Sequence, residues 1–364
     1  MRQIKNALFQ WYENNRRALP WRENRTAYRV WISEIMLQQT QVNTVIDYFN
    51  RWMELWPTVE TLAAASENEV LKAWEGLGYY SRARNILKTA KFLDAHEDID
   101  FSQGFSVIRQ LPGIGDYTAA AISSFVNEEQ VAAVDANVLR VISRLFLFPW
   151  TSGEPKSHRT CKLFLEEAMS MLSQEENFHP GKWNEALIEL GALVCQARRA
   201  HCDACPLQAY CQAYNTDTIY EYPKPKTKTK RKEEFYTVLI LYDVESKTFA
   251  VEKRESQGLL ANLWQFPLLD GHRSKEELYN LLEDEFAILS IQAFDQIKHI
   301  FSHLIWQLTP YIVVTRNKGE GLELKESMYP WKWLNPDQVM DLPFSSSLTE
   351  LRNRVLRDGI YLEW

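Results

Sequence analysis

No apolar stretch in this 364-residue chain approaches the ~18 residues that a membrane-spanning helix needs. The start, Met1-Arg2-Gln3-Ile4-Lys5-Asn6, lacks the basic-then-apolar layout of a secretory leader, so a cytoplasmic location is expected. Cysteine is scarce: five residues, in a reducing compartment, argue for metal or cluster ligation over disulfides. An excess of positive charge is missing as well. Lys and Arg number 41 against 48 Asp and Glu, a net of −7 that at face value argues against a nucleic-acid partner. No internal repeat is visible. What is present is 46% hydrophobic residues with 13 Trp, 16 Tyr and 17 Phe, the composition of a well-buried globular chain. At ~150 residues per domain the length suggests two domains, or three.

The charge is unevenly spread. Residues 1–232 carry 28 Lys and Arg against 27 Asp and Glu, a net of +1; residues 233–364 carry 13 against 21, a net of −8. Between the halves runs Pro223-Lys224-Pro225-Lys226-Thr227-Lys228-Thr229-Lys230-Arg231-Lys232. Two prolines and six basic residues cannot bury a core face, so 223–234 reads as a solvated, extended linker between regions 1–222 and 235–364.

The first region reads as helical. Apolar residues recur at three- and four-residue spacing from Trp31 through Leu37 and on to Val42, Val45 and Ile46. The same period marks 70–74, 118–125, 138–147 and 183–194. Ser66-Glu67-Asn68-Glu69 is a capping-box pattern, and Gly76 with Gly78 closes the helix it opens. Beyond the linker, Tyr236–Tyr242 and Thr248–Glu252 read as strands, 275–286 as an amphipathic helix, and 290–298 and 304–314 as further strands. That is a small α+β domain with a helix or two on its sheet.

Cys195, Cys202, Cys205 and Cys211 form C-x6-C-x2-C-x5-C within 17 residues. Zinc sites usually show two separated Cys-x-x-Cys knuckles. One such pair with an outlier on each side better suits a [4Fe–4S] cubane, in which each corner iron takes one thiolate. Zinc or plain structural thiols are the alternatives, and Cys161 reads as a buried free thiol. The loop follows Asn184-Glu185-Ala186-Leu187-Ile188-Glu189-Leu190-Gly191, and together they resemble the cluster loop of the endonuclease III superfamily of DNA glycosylases. The resemblance implies a structural or DNA-sensing cluster. Arg198, Arg199 and His201 between the first two ligands are placed to meet phosphates.

Leu111-Pro112-Gly113-Ile114-Gly115-Asp116-Tyr117 is a Gly-rich turn running into a small-residue helix. Gly113 and Gly115 let backbone approach a ligand, and a helix start offers unpaired N–H groups to an anion. Beside the cysteine loop it resembles the superfamily's helix-hairpin-helix, whose phosphate contacts position the protein without reading sequence. Bifunctional relatives place an amine nucleophile two residues after the second glycine. Tyr117 stands there, which implies a monofunctional, hydrolytic enzyme.

Glu34 has Val30, Trp31 and Leu37 at i−4, i−3 and i+3, surroundings that raise a carboxyl's pKa as a general acid requires. Asp135 directly precedes a helical run, an N-cap position whose positive helix end favours the ionised form. One neutral acid and one anion divide the labour of glycosidic cleavage, in which oxocarbenium character develops. Arg17-Ala18-Leu19-Pro20-Trp21-Arg22, Trp31–Thr40 and Trp74-Glu75-Gly76-Leu77-Gly78-Tyr79-Tyr80 extend the resemblance, over essentially the whole chain, to the adenine-specific (MutY-type) family of that superfamily. It implies that Glu34 protonates N7 of an extruded adenine and that Asp135 stabilises the anomeric carbon, with Tyr117 and Asn137 supporting. Arg17, Arg22 and Glu185 would surround the base, with Trp21 and Leu77 among the substrate contacts. Gln39 and Tyr79 would wedge into the stack as the base is flipped out. Ala136, where glycine is expected after the aspartate, is a departure that could shift Asp135 slightly.

The acidic domain resembles the Nudix (MutT-like) recognition domain of that family, without the G-x5-E-x7-R-E-x2-E-E spacing of active hydrolases. Phe301-Ser302-His303 matches the loop that by resemblance inspects 8-oxoguanine; Gly258–Trp264 reads as packing. The expected architecture is therefore multi-domain. An all-α helix-hairpin-helix core (six-helix barrel plus [4Fe–4S] subdomain) precedes a smaller α+β Nudix-like domain. The implied partner is double-stranded DNA with 8-oxoguanine:adenine or guanine:adenine mispairs, bound by a monomer at the bacterial nucleoid. A thymine- or uracil-excising relative and a non-catalytic damage sensor are the competing readings. The C-terminal domain argues against the first, and retention of Glu34 with Asp135 against the second.

Overall fold

The structure is a computed structural model describing residues 1–226, 230–317 and 331–357. These form two compact units, Met1–Ala65 with Arg84–Thr227 and Ser66–Ala83 with Lys228–Trp364. Residues 227–229 of the basic segment lie outside the described residues. The flanking parts of that segment are structured rather than a bare tether. Lys224 exchanges backbone hydrogen bonds with Trp150 and Ser152, and Lys232 opens a strand.

Helices succeed one another through the first 215 residues: α1 (Arg2–Asn15), α2 (Ala27–Leu37), α3 (Val42–Leu55), α4 (Val59–Ala63), α5 (Glu67–Ala73), α6 (Ser81–Asp94), α7 (Phe105–Ile108), α8 (Asp116–Asn127), α9 (Ala136–Phe146), α10 (Pro155–Leu172), α11 (Pro180–Leu193) and α12 (Gln212–Asn215). The continuous helix expected from Trp31 to Ile46 is two. Gln38-Gln39-Thr40-Gln41 has no apolar face to bury, and Gln39 takes φ +57°, which ends α2. The capping box at Ser66 is formed: its hydroxyl accepts from the Glu69 amide and the Glu69 carboxylate accepts from the Ser66 amide.

In the first unit Leu8, Val138, Ile142, Leu165, Trp183 and Leu187 join α1, α9, α10 and α11 in one core. Fully burying each such side chain contributes about 1.5–3 kcal/mol. Where α11 crosses α9, a Cβ on Gly191 would stand 2.6 Å from the Cβ of Asn137, so only glycine permits this approach. It draws the start of α9, with Asp135 and Asn137, against α11.

The second unit is built on a mixed sheet. Its strands are β1 (Lys232–Asp243), β2 (Thr248–Lys253), β3 (Trp264–Gln265), β4 (Leu268–Asp270), β5 (Phe286–Ala293), β6 (Ile297–Ile300), β7 (Leu304–Asn317) and β8 (Lys332–Leu334). The central order is β3-β2-β1-β7-β5, with β1 parallel to β7. Val238–Asp243 is buried throughout because both faces are covered. Val238 and Ile240 face a core shared with α15 (Ser346–Arg357), and Leu239 and Leu241 face α13 (Lys275–Leu282). A short helix, α14 (Pro336–Asp341), precedes α15. The helix expected to reach 286 stops at Leu282 because Phe286 already pairs with Asn317 on β7, and the strand expected over 290–298 is divided between β5 and β6.

Candidate active site

A pocket of about 690 Å³ opens in the first unit, within the range usual for ligand sites. It collects residues far apart in sequence: Arg17, Trp21, Arg22, Glu34, Gln39, Tyr117, Asp135, Asn137 and Glu185 all line it, and Ala136 with them. Each is delivered by a local cause. Glu34 is on α2, whose neighbouring residues Val30, Trp31 and Ile35 are buried, so the carboxyl is carried inward. Tyr117 occupies the first turn of α8 and donates its hydroxyl to Glu34 Oε2 at 2.8 Å. Burial pushes the Glu34 carboxyl up to about 7; the Tyr117 hydrogen bond opposes this, and the charges of Asp135 and Glu185 add to it.

Asp135 caps α9: its Oδ1 accepts from the Val138 amide at 2.8 Å and its Oδ2 from Asn137 Nδ2 at 2.7 Å. The helix end and burial act on this carboxylate in opposite directions. Burial raises its pKa above the ordinary value, and the Val138 and Asn137 donors reduce that rise without cancelling it.

Sequence reasoning passed over Glu189, Arg25, Ser33 and His158, which also line the pocket. Glu189 is buried and holds both flanking arginines. Arg17 reaches it through Nε and Nη2, each at 2.8 Å, and Arg22 Nη2 at 3.0 Å. Burial works to raise this carboxyl, but the two guanidinium groups overcome it and hold it at about 2. Arg25 Nη2 meets Glu185 at 2.7 Å, and Arg22 Nε lies 3.7 Å from the same oxygen. The available signal was spacing: Glu185 and Glu189 are one turn apart on an otherwise apolar stretch of α11. No lysine lines the pocket among the described residues.

Gln39 is exposed at its left-handed turn in the first unit. The remaining expected substrate contacts, Leu77, Tyr79, Phe301, Ser302 and His303, belong to the second unit. There Tyr79 is 47% exposed with φ +49°, whereas Leu77 is buried at 6%. Ser302 and His303 are exposed in the turn between β6 and β7, Ser302 Oγ lying 3.2 Å from His303 Nδ1, and Phe301 packs edge-on against Trp306.

The Gly-rich hairpin joins α7 to α8. Gly113 has φ +71°, and a Cβ there would stand 2.4 Å from that of Asn85, so glycine is required twice over. Gly115 is different: its backbone is extended and a Cβ would meet nothing, so what matters there is the open approach to the first amides of α8.

Cys195, Cys202, Cys205 and Cys211 line one small pocket together with Arg144 and Tyr214. Arg144 donates to Cys195 Sγ at 3.4 Å, and its carbonyl accepts from Cys211 Sγ at 3.6 Å. Among the described residues no three His, Cys, Asp or Glu side chains are placed to hold a single metal ion. Arg198, Arg199 and His201 are exposed beside this loop, and Cys161 is buried elsewhere in the core.

Among the described residues no helix is long and apolar enough to cross a membrane. Residues 32–167 match the HhH-GPD superfamily of base excision DNA repair proteins, and residues 237–353 match the NUDIX domain. A solved thermostable thymine-DNA glycosylase superposes with a TM-score of 0.52 over 59% of this chain and 98% of its own, at 23% identity, a likeness of fold. The adenine DNA glycosylase of Arabidopsis thaliana is 32% identical over 96% of this chain, which spans 63% of that longer protein. That of Buchnera aphidicola subsp. Baizongia pistaciae is 31% identical, with 92% of each chain covered. With the Buchnera relative matched over nearly the whole of both chains and both family models found in their expected order, the chain belongs to the adenine DNA glycosylase family.

Proposed function

We propose that this chain is a monofunctional DNA glycosylase that extrudes adenine from a duplex and hydrolyses its N-glycosidic bond in base excision repair, acting where adenine stands opposite 8-oxoguanine or guanine. The observation that carries this reading is a buried, Tyr117-bonded Glu34 sharing one pocket with Asp135. A carboxyl whose pKa is raised to about 7 keeps its proton in a large share of the molecules at neutral pH and gives it to N7 of the purine. The N9–C1′ bond then breaks with its electron pair leaving on the base. Positive charge develops at C1′ beside Asp135, and water adds there, releasing a proton to solvent, to leave an abasic site. Val138 and Asn137 hold Asp135 in place for that task. Arg17, Arg22, Trp21 and Glu185 form the walls for the base, with Glu189 fixing both arginines. Tyr117 in place of an amine supports hydrolysis over a Schiff-base lyase.

The hairpin amides behind Gly113 and Gly115, with Arg198, Arg199 and His201, are suited to backbone phosphates. Gln39 and Tyr79, exposed residues in left-handed turns, are suited to probing the stack, with Leu77 bracing the turn. In 8-oxoguanine N7 carries a hydrogen that guanine lacks. The Ser302 hydroxyl beside Phe301 and His303 can accept it. Cys195, Cys202, Cys205 and Cys211 would hold a [4Fe–4S] cluster, each thiolate on its own corner iron. Such a cluster would serve to brace the basic loop rather than to react.

The test is single-turnover excision on duplexes placing adenine opposite 8-oxoguanine, guanine, cytosine and thymine. Cleavage at adenine only after alkali, fastest opposite 8-oxoguanine, is expected. Nicking without alkali through a borohydride-trapped adduct would overturn the monofunctional assignment.

A further inference from the structure

Segment 66–83 stands in sequence among the helices of the repair core but belongs to the compact unit of Lys228–Trp364. It carries the turn Gly76–Tyr79, and two hydrogen bonds flanking that turn end on one residue, Phe344. Glu75 Oε1 accepts from the Phe344 amide at 3.0 Å, and the Tyr80 hydroxyl donates to the Phe344 carbonyl at 2.9 Å. Arg352, 2% exposed, closes on the same carboxylate with Nη1 to Oε1 at 3.0 Å and Nη2 to Oε2 at 3.2 Å. Thr349 adds a bond to Oε1 at 3.3 Å, and Lys72 one to Oε2 at 3.0 Å. Within the turn, the Trp74 indole donates to the Gly78 carbonyl at 3.0 Å. Arg82 donates to the carbonyls of Leu77 and Gly78 and lies over the rings of Trp74 and Tyr79.

Phe344 is itself fixed. Its ring is fully buried, edge-on to Phe266 at 5.5 Å, in the core that also holds Trp306. Phe301 packs on that core against Trp306, one residue before Ser302. A loop that only needed covering would not call for a forked ion pair between a buried Arg352 and a half-buried Glu75, whose desolvation offsets part of its attraction. Such a pair does fix geometry.

We propose that Glu75 and Arg352, by clamping the Gly76–Tyr79 turn onto Phe344, make that turn part of the C-terminal domain and act as positioning residues that set the preference for the base opposite adenine. This rests on the function proposed above. A base that fits at Ser302 then places Tyr79 in register at the same moment, because Phe344 ties the turn to the core on which Phe301 packs. The residues lining the catalytic pocket belong to the other unit, so the chemistry itself does not depend on the clamp.

The experiment uses the full-length chain with Glu75→Gln, Arg352→Lys and Tyr80→Phe, measuring single-turnover excision from 8-oxoguanine:adenine and guanine:adenine duplexes. In Glu75→Gln and Arg352→Lys the rate on the first should fall while that on the second holds. The ratio should drop at least about fivefold, the low end for coupling between two sites. Tyr80→Phe, which removes one flanking bond, should move the ratio the same way by less. Melting curves separate a structural role. Variants that melt earlier but keep the wild-type ratio, or lose both rates in proportion, overturn the proposal. Should Glu75→Gln fail to fold, Arg352→Lys and Tyr80→Phe decide by the same ratio. A wild-type chain that excises adenine from neither duplex would instead overturn the proposed function.

Discussion

Glu34 shows what a single buried carboxyl does to both reaction and stability. Its pKa is raised, so the folded state keeps a proton that the unfolded chain releases between about pH 4.5 and 7. Across that window the unfolded state binds fewer protons, and stability falls as pH rises. Glu34→Gln removes this cost along with the acid. The variant should show no excision at any pH, yet melt higher than wild type at pH 8 by on the order of 2–3 kcal/mol of stability. The difference should vanish near pH 4, and equal melting points at pH 8 would contradict the assigned burial. The apolar neighbours that produce the shift were legible, since they lie within one helical turn of Glu34. Glu189 was not assigned, because what makes it important are Arg17 and Arg22, 172 and 167 positions away.

At the scale of elements, sequence patterns worked where the cause was local and failed where it was a neighbour. The capping box at Ser66 and the N-cap at Asp135 formed as their side chains require. The join between α2 and α3 was missed because apolar spacing continued across it while Gln39 turned the backbone. The cysteine loop is an element specified almost wholly by spacing. Burial pushes the Cys205 thiol up to about 12, so without a bound cation it stays protonated. The purified chain is expected to contain four iron and four labile sulfide with visible charge-transfer absorbance, all lost in Cys205→Ser together with some thermal stability. One zinc per chain and no sulfide would refute the cubane assignment.

For the whole molecule, the net charge of −7 misleads because it averages a near-neutral helical region and an acidic one. Binding to DNA would then rest on a few exposed cations. Replacing Arg198 and Arg199 together by alanine should lower the slope of log affinity against log salt by about 2 in magnitude, at roughly 0.9 per phosphate contact. An unchanged slope would place the phosphates elsewhere. Composition, the helical and strand periods, the cysteine spacing and the candidate acids were all determined by the sequence alone. Each depends on residues within a turn or loop of one another. Only the tertiary structure decided that Glu34, Tyr117, Asp135 and Glu185 share one pocket, and that burial outweighs the helix end at Asp135. It also decided that segment 66–83 is held by Phe344 and Arg352. Desolvation and long-range hydrogen bonds depend on what the chain brings together from a distance, and no local pattern records that.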